Sequence, residues 1–324
     1  MAEASREARA ARGGGAPAGR DRVAVVVLDW DGGADAVRAV ESALATRYPQ
    51  LDVILIDNAS AEPVLERVRD VHPEVLTHRN PRNLGYAGGN NVGIRLALER
   101  GADFVLLLNN DARLHREAIL ELLAVARRDP SVAAVGAKVL SADRPGHLWM
   151  AYGEVSWRQS LVRLVGQGAR DGPRFSTERE VEWVSGCALL LSRRGLEDVG
   201  LLDEEFFAYH EEVDWCARAR ARGFRILFAP RAIAYHRGEG SSGGGAYVSR
   251  KQYLAARNAV LFVRRHGGKR ERLHFAASVL ASLPFQLLRR TLRGEQRGVW
   301  LKVRGMLDAL RGRPIPRAEL GLDR

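Results

Sequence analysis

The segment "LLLNNDARL" (106–114) is an apolar run that stops on Asn109, Asn110 and Asp111. A strand that leaves a core on three polar side chains has two readings. Asn and Asp are good turn formers and end many strands. A carboxylate in that place can also hold a hard divalent cation, which prefers oxygen ligands. A second group of acids lies in "HEEVDWCARARARG" (210–223), where Glu211, Glu212 and Asp214 stand at the start of a helical pattern. A carboxylate held there can take a proton as a general base. Acids at a helix start also interact favourably with the helix dipole without any chemistry, and Asp214 and Arg218 have the i, i+4 spacing of an ion pair.

The elements that must position these residues are legible as alternating periods. "VAVVVL" (23–28), "DVILID" (52–57) and "DFVLLLN" (103–109) are strands apolar on both faces, and helical spacing covers 34–47, 62–70, 88–101 and 115–128. Further strands are predicted near 75–79, 132–140 and 181–192, then a helix over 210–223 and two short extended pieces, "FRILFAP" and "AIAYH". The stretch 141–180 has no clear period and predicts loops and short strands. Strands buried on both faces and separated by helices indicate an α/β fold, with a mostly parallel sheet covered by helices on both sides. Ligands of such sheets bind outside the carboxyl ends of the strands. Asp29, Asp57 and Asp111 close the first, second and fourth strands and are therefore expected on one rim.

"NLGYAGGNNVG" (83–93) adds Asn83, Gly85, Gly88, Gly89 and Asn90. Glycines ahead of a helix allow backbone to approach a ligand closely, and a helix N-terminus favours anions; a tight turn alone would also explain them. The spacing is not G-x-G-x-x-G, so a dinucleotide fingerprint is not supported.

Length and composition fit a globular chain of one large domain or two modest ones. The formal charge is +11, but residues 248–324 carry 18 Lys/Arg against 5 Asp/Glu, so the first 247 residues sum to −2. Basicity confined to one segment suits an acidic partner, anionic lipid or nucleic acid. Two cysteines, Cys187 and Cys216, make no disulfide framework and fit a reducing compartment. Cys187 reads as a small buried hydrophobe, since no base partner can be named for it. Residues 1–22 are polar, lack an apolar core of a signal peptide, and are expected to be a disordered tail.

"LIDNAS" (55–60), "NLGYAGGNNVGI" (83–94), "LLLNNDA" (106–112), "VSGCALLLS" (184–192) and "FFAYHEEVDWCARARARGFRILFAPRAIAYH" (206–236) occur in this order. Together they resemble the inverting glycosyltransferase family 2, with the GT-A fold, and within it the rhamnosyltransferase-like bacterial members, over roughly residues 23–240. The resemblance implies a nucleotide-sugar donor whose diphosphate leaves with the help of Mg²⁺ or Mn²⁺. Asp111 matches the family's aspartate-rich metal motif, with Asn109 where the first Asp usually stands, and His236 matches its late histidine at the metal and diphosphate. Glu212 matches the second member of the family's acidic pair, the base that deprotonates the acceptor. Asp29 and Asp57 match positions that bind base and ribose. Asn83, Gly85 and Asn90 are expected at the donor, Asn109 and Asn110 in the turn against it, and Ser185 and Gly186 in the floor of the sugar or acceptor site.

By the same resemblance dTDP-rhamnose is the first donor to consider, ahead of UDP- or GDP-sugars, with a glycan or polyprenyl-linked acceptor in cell-envelope polysaccharide synthesis at the cytoplasmic face of the membrane. Two other classes stand beside it. A sugar-nucleotide nucleotidyltransferase wants a basic, glycine-rich loop after the first strand, and "DWDGGADAV" has no Lys or Arg before Arg38. A non-catalytic membrane-associated protein with a decayed transferase domain is the other; Asn109 and Glu212 count toward it and the retained acidic sites against it.

The Gly/Ser-rich "RGEGSSGGGAY" (237–247) suggests a domain boundary, with a transferase domain over 23–240 and a basic helical segment over 241–324. Within that segment Leu273 to Leu288 is an uncharged stretch of 16 residues, interrupted by Pro284, between basic clusters. It is short for a membrane span. An interfacial helix on an anionic membrane and an ordinary helical hairpin packed on the catalytic domain are both open. Few aromatics and no recognisable module argue against nucleic acid.

Overall fold

The structure is a computed structural model that describes residues 21–238 and 250–323. The expected disordered tail lies outside the described residues apart from Asp21 and Arg22, as does most of the Gly/Ser-rich segment.

The first half of the chain builds four parallel strands, β1 (Val23–Asp29), β2 (Leu51–Asp57), β3 (Leu76–Arg79) and β4 (Phe104–Asn109), in the order β3-β2-β1-β4. The second half adds β6 (Val132–Ser141) and β12 (Arg225–His236), parallel to each other. β11 (Ala188–Ser192) runs antiparallel between β4 and β6. With the two-residue edge strand β10 (Arg179–Glu180) and the side pairings of β5 (Ala112–Leu114) and β7 (Leu148–Met150), the sheet has 10 strands, and β8 (Tyr152–Val155) and β9 (Val162–Val165) form a separate antiparallel pair. The mostly parallel α/β sheet expected from the sequence is thus present.

Why the strands are apolar throughout is visible in β1. Ala24, Val26 and Leu28 enter one core, and Val23, Val25 and Val27 the other, because successive side chains point to opposite faces. The second core is closed by helices α1 (Ala34–Leu44), α2 (Leu65–Val71) and α4 (Ala118–Ala126). The first is closed by α3 (Gly85–Glu99), α5 (Arg193–Val199) and α6 (Glu211–Ala221), with Trp215 of α6 fully buried.

The C-terminal helices are α7 (Arg250–His266), α8 (Lys269–Thr291) and α9 (Gln296–Leu310). Ala256, Ala259 and Phe262 of α7 and Met306 and Ala309 of α9 join the first core, so one hydrophobic core continues across the Gly/Ser-rich segment.

Several boundaries differ from the sequence reading; helices α2 and α4 begin three residues later than expected and α1 ends three residues earlier. Helix α3 begins at Gly85, three residues early. The strand expected over 181–192 covers only Ala188–Ser192; Val181 and Trp183 are instead tied to Ile226 and Gly153 at other edges. "FRILFAP" and "AIAYH" form one strand, with a register shift against β6 between Ala229 and Ile233. Pro230 lies within it and cannot donate to the ladder, which is where a bulge is tolerated.

Helix α3 lies unusually close to the sheet. A Cβ on Gly93 would collide with Cγ1 of Val26, and one on Gly89 would stand 2.5 Å from Cδ1 of Leu28. Alanine is the better helix former by about 1 kcal/mol, but overpacking a filled core costs roughly 1–3 kcal/mol. Gly93→Ala is therefore expected to destabilise the protein by up to about 2 kcal/mol in urea denaturation; a rise in the midpoint would show that α3 can move off β1 freely.

Candidate active site

The register puts the polar strand ends together. Asp29 pairs across from Asp57, and Leu28 from Asn109; the Asn109 N–H donates to the Cys187 carbonyl (3.1 Å), which brings Ser185–Cys187 to the same rim from the antiparallel strand. After Asn109 the chain turns. Asn110 Nδ2 donates to Asp29 Oδ1 at 2.8 Å, and the Gly32 N–H donates to the same oxygen at 3.0 Å. β5 then runs back along the end of β12 with Ala112 opposite His236, and the Arg237 N–H donates to the Asp111 carbonyl. This ladder sets Asp111 Oδ1 3.0 Å from His236 Nε2, both side chains less than a tenth exposed. The edge of Trp149 packs on the His236 ring, centroids 4.4 Å apart.

The acids of α6 are delivered by a strained approach. Phe207, Tyr209 and His210 have φ of 59°, 74° and 71°, a region that costs a non-glycine residue roughly 1–2 kcal/mol. What holds them is external. Asn258 Nδ2 of α7 lies 2.7–2.8 Å from the carbonyls of Phe206, Ala208 and Tyr209, and the Ala87 N–H donates to the Phe207 carbonyl. Burial lowers the His210 pKa to about 4, so its ring is neutral. Glu211 is pushed well above the usual carboxylate range by burial and by the charge of Glu212. Burial raises Glu212 to about 7, against the backbone N–H groups of the first helical turn.

Asp214 faces elsewhere. Its carboxylate accepts from Arg218 Nε at 2.7 Å and meets His266 Nε2 at 2.8 Å. Burial would raise its pKa, yet these partners hold it below the ordinary value. The ion-pair reading of Asp214 and Arg218 is what the geometry shows, and Asp214 does not line the cleft.

The cleft has a volume of about 260 Å³. Of the residues expected from the sequence, it gathers Asp111, His236, Glu211 and Glu212, with Asn109 and Asn110 on the turn, Ser185 and Gly186 from the segment that leads into β11, and Asn83 and Gly85 at the start of α3. It does not gather Asp29, Asp57 or Asn90. Asp29 lies under the turn, raised to about 6 by burial. Asp57 accepts from the Ser60 N–H and stands 3.3 Å from Arg79 Nε, beside a separate shallow depression lined by Ser60, Arg79 and Asn80. Asn90 Nδ2 donates to the Tyr86 carbonyl inside α3.

Sequence reasoning passed over several residues that shape the cleft. Asn58 joins Asn80, Asn83, Leu84 and Gly85 through both ends of its buried amide and so fixes the loop into α3. Tyr86 donates to the Gly186 carbonyl at 2.7 Å, and burial, with the charges of Glu211, Glu212 and Asp111 nearby, keeps its phenol protonated. Both lie inside motifs already noted, so their signal was present. Arg250 and Lys251 of α7 also reach the cleft, Arg250 stacked on Trp30 at 4.4 Å; nothing in the linear pattern pointed to them.

A divalent cation fits this donor set. Asp111 offers a carboxylate, His236 an imidazole, and Asn109 Oδ1 is a buried oxygen with no hydrogen-bond partner among the described residues. No cluster of three or more His, Cys, Asp or Glu able to hold a metal occurs among the described residues. The protein would therefore supply few ligands, as suits an ion that completes its shell with water and substrate phosphates.

The chain resembles known proteins in sequence and in fold. The family model described as "Glycosyltransferase like family 2" matches residues 20–256. The low-salt glycan biosynthesis hexosyltransferase of Haloferax volcanii is 28% identical over 177 residues, 54% of this chain and 55% of its own, so the match spans about half of that relative. The N-acetylglucosaminyl-diphospho-decaprenol L-rhamnosyltransferase of Mycobacterium tuberculosis is 29% identical over 69% of this chain and 78% of its own. Among solved structures, a mannosyltransferase of Pyrobaculum calidifontis, in complex with GDP-Man and Mn²⁺, superposes with a TM-score of 0.54 at 16% identity over 95% of this chain and 94% of its own. At that identity the likeness is one of fold.

The raised Glu212 pKa has a consequence for stability. Between its ordinary value of 4.5 and about 7 the folded protein keeps a proton that the unfolded chain releases, so this group lowers stability as pH rises through that window, by up to about 1.4 kcal/mol per unit. Glu212→Gln, which cannot ionise, is expected to be more stable than the parent above pH 7, with the difference vanishing toward pH 4.5 in denaturation series. An unchanged difference across that range would mean that Glu212 titrates normally.

Proposed function

The chain belongs to the glycosyltransferase-like family 2, and from that membership we propose that it is an inverting glycosyltransferase that moves a sugar from a nucleotide-diphosphate donor to a hydroxyl of a glycan or polyprenyl-linked acceptor in cell-envelope polysaccharide synthesis. The observation that carries the reading is that one cleft holds both a pair of pKa-raised carboxyls, Glu211 and Glu212, and the Asp111–His236 pair. Rhamnose is the favoured sugar, with dTDP-rhamnose as donor before UDP- or GDP-sugars; the rhamnosyltransferase relative and its lipid-linked substrate support sugar and acceptor class. The site of action is the inner face of the cell membrane, reached peripherally; no described helix is long and apolar enough to cross a membrane.

In this mechanism the acceptor oxygen attacks the anomeric carbon while the bond from that carbon to the diphosphate oxygen breaks. The acceptor proton passes to Glu212. A carboxyl titrating near 7 accepts it at neutral pH more readily than one at an ordinary value, and Glu211, raised further, stays protonated beside it. Negative charge collects on the departing nucleoside diphosphate. Asp111 and His236 would hold Mg²⁺ or Mn²⁺, which supplies Lewis-acid stabilisation of that charge; Arg250 and Lys251 contribute positive charge at the same cleft. Asn109, Asn110, Ser185 and Gly186 shape the wall against the donor sugar. Asp29 acts beneath this wall by fixing the turn through Asn110, and Asp57, buried beside Arg79, fixes the turn at Ser60.

The test is turnover of a panel of dTDP-, UDP- and GDP-sugars with and without Mn²⁺ or Mg²⁺, with nucleotide binding read in the same samples. Glu212→Gln is expected to lower transfer by on the order of 10²–10⁴-fold with donor binding nearly unchanged, and Asp111→Ala to remove the metal-dependent part of both. Transfer by the parent should rise with pH and level off above about 7. Normal turnover in Glu212→Gln would remove the base assignment, and failure of any nucleotide to bind with metal present would remove the transferase reading.

A further inference from the structure

Helix α8 is out of proportion to its neighbours. Of its 23 residues only Phe275 is buried, whereas α7 buries ten of 17. Of the ten large apolar side chains exposed among the described residues, eight lie between Leu273 and Leu310. On α8 they form a stripe. Leu273, Ala277, Leu280, Pro284, Leu288 and Leu292 recur at steps of three and four and are all exposed, Leu273 at 72%, Leu280 at 74% and Leu292 at 81%. That spacing is one face of a helix. Phe285, 66% exposed, borders it, and Trp300 on α9 is 60% exposed. At about 1.5 Å per residue the stripe is roughly 29 Å long, and no charged residue interrupts it.

Its ends are cationic. Lys269, Arg270 and Arg272 precede it, Arg289 stands beside its last turn, and Arg293 and Arg297 follow, within a segment whose net charge is +13. An apolar stripe lying between cations matches a bilayer surface, with side chains among acyl chains and Arg or Lys at the headgroups. It does not match a second copy of this chain, which would bring the same positive charge against it.

We propose that the exposed face of α8 docks the protein onto an anionic lipid bilayer. The assignment rests on the reading that the chain works at a membrane and names the surface that does it. Helix α7, continuous with the catalytic core and lining the cleft, is joined to α8 by two residues, Gly267 and Gly268, so docking would hold the cleft at a set distance from the lipid surface. Phe275 anchors the other side of α8 to the core.

The experiment is co-sedimentation of the full chain with vesicles of phosphatidylcholine alone or mixed with phosphatidylglycerol, at low and at physiological salt. The parent is expected to bind the anionic vesicles at least tenfold more tightly than the neutral ones, since each basic side chain near such a surface strengthens binding roughly fivefold. The triple change Leu280→Glu, Phe285→Glu, Leu288→Glu is expected to lose binding at least tenfold while its melting temperature and its soluble-donor turnover stay close to the parent's, because these side chains contribute nothing to the core. A second variant, Lys269→Glu with Arg270→Glu, alters charge outside the stripe and should weaken anionic binding at least tenfold and neutral binding little. A parent that stays in solution with both vesicle types, or a triple variant that binds like the parent, overturns the proposal. So does a dimer in sedimentation velocity that the triple change dissociates, without vesicle binding. Turnover of soluble donor is read separately, so loss of the docking assignment and loss of the transferase reading are distinct outcomes.

Discussion

The structure depends on how it buries negative charge. Asp29, Asp111, Glu211 and Glu212 surround one rim of the sheet, and Asp29, Glu211 and Glu212 each keep a buried oxygen without a hydrogen-bond partner among the described residues. Burying such a group uncompensated costs several kcal/mol or forces it to take up a proton. Both responses are visible: Glu211, Glu212 and Asp29 are raised by burial, while Asp111 is set against His236. A cation between these groups would relieve the cost and would in turn attract an anionic diphosphate, which is why the arrangement reads as a site and not as a core defect.

Holding the acids there requires backbone that would not adopt its shape alone. Three residues of positive φ precede α6, and the strain is distributed over contacts from distant parts of the chain: Asn258 from α7, the Ala87 N–H from α3, and the Arg257 guanidinium on the Glu205 carbonyl. The C-terminal segment is therefore part of what orders the cleft. On the opposite side of the loop, Asp214 anchors α6 to α7 through His266 and to the chain after α5 through Arg218. Glu212 and Asp214, two residues apart, thus divide their work by direction, one toward the cleft and one toward the scaffold.

The C-terminal helices divide in the same way. α7 and α9 send apolar side chains into the core shared with the sheet, while α8 turns most of its apolar surface outward. The hairpin and interfacial readings of this segment describe different helices within it, the first fitting α7 and α9 and the second matching the exposure of α8.

The sequence by itself determined the sheet and its rim. Strands apolar at every position must be covered on both faces, and parallel strands must end on the same side, so Asp29, Asp57 and the Asn109–Asp111 turn were bound to meet. The family resemblance also put Asp111, His236, Glu211 and Glu212 together, and the cleft gathers them; it grouped Asp214 with them, and the structure pairs Asp214 with Arg218 and His266 instead. Only the tertiary structure decided what depends on contacts between segments far apart in the chain. That Asp29 sits beneath the turn and not in the cleft follows from the Asn110 amide that covers it. That Arg250, Lys251 and Asn258 serve the cleft follows from where α7 docks, more than 40 residues after the loop it braces. The outward face of α8 was decided likewise, because an apolar stripe carries the same periodicity whether a core or a bilayer covers it, and only packing shows which side the rest of the chain leaves open.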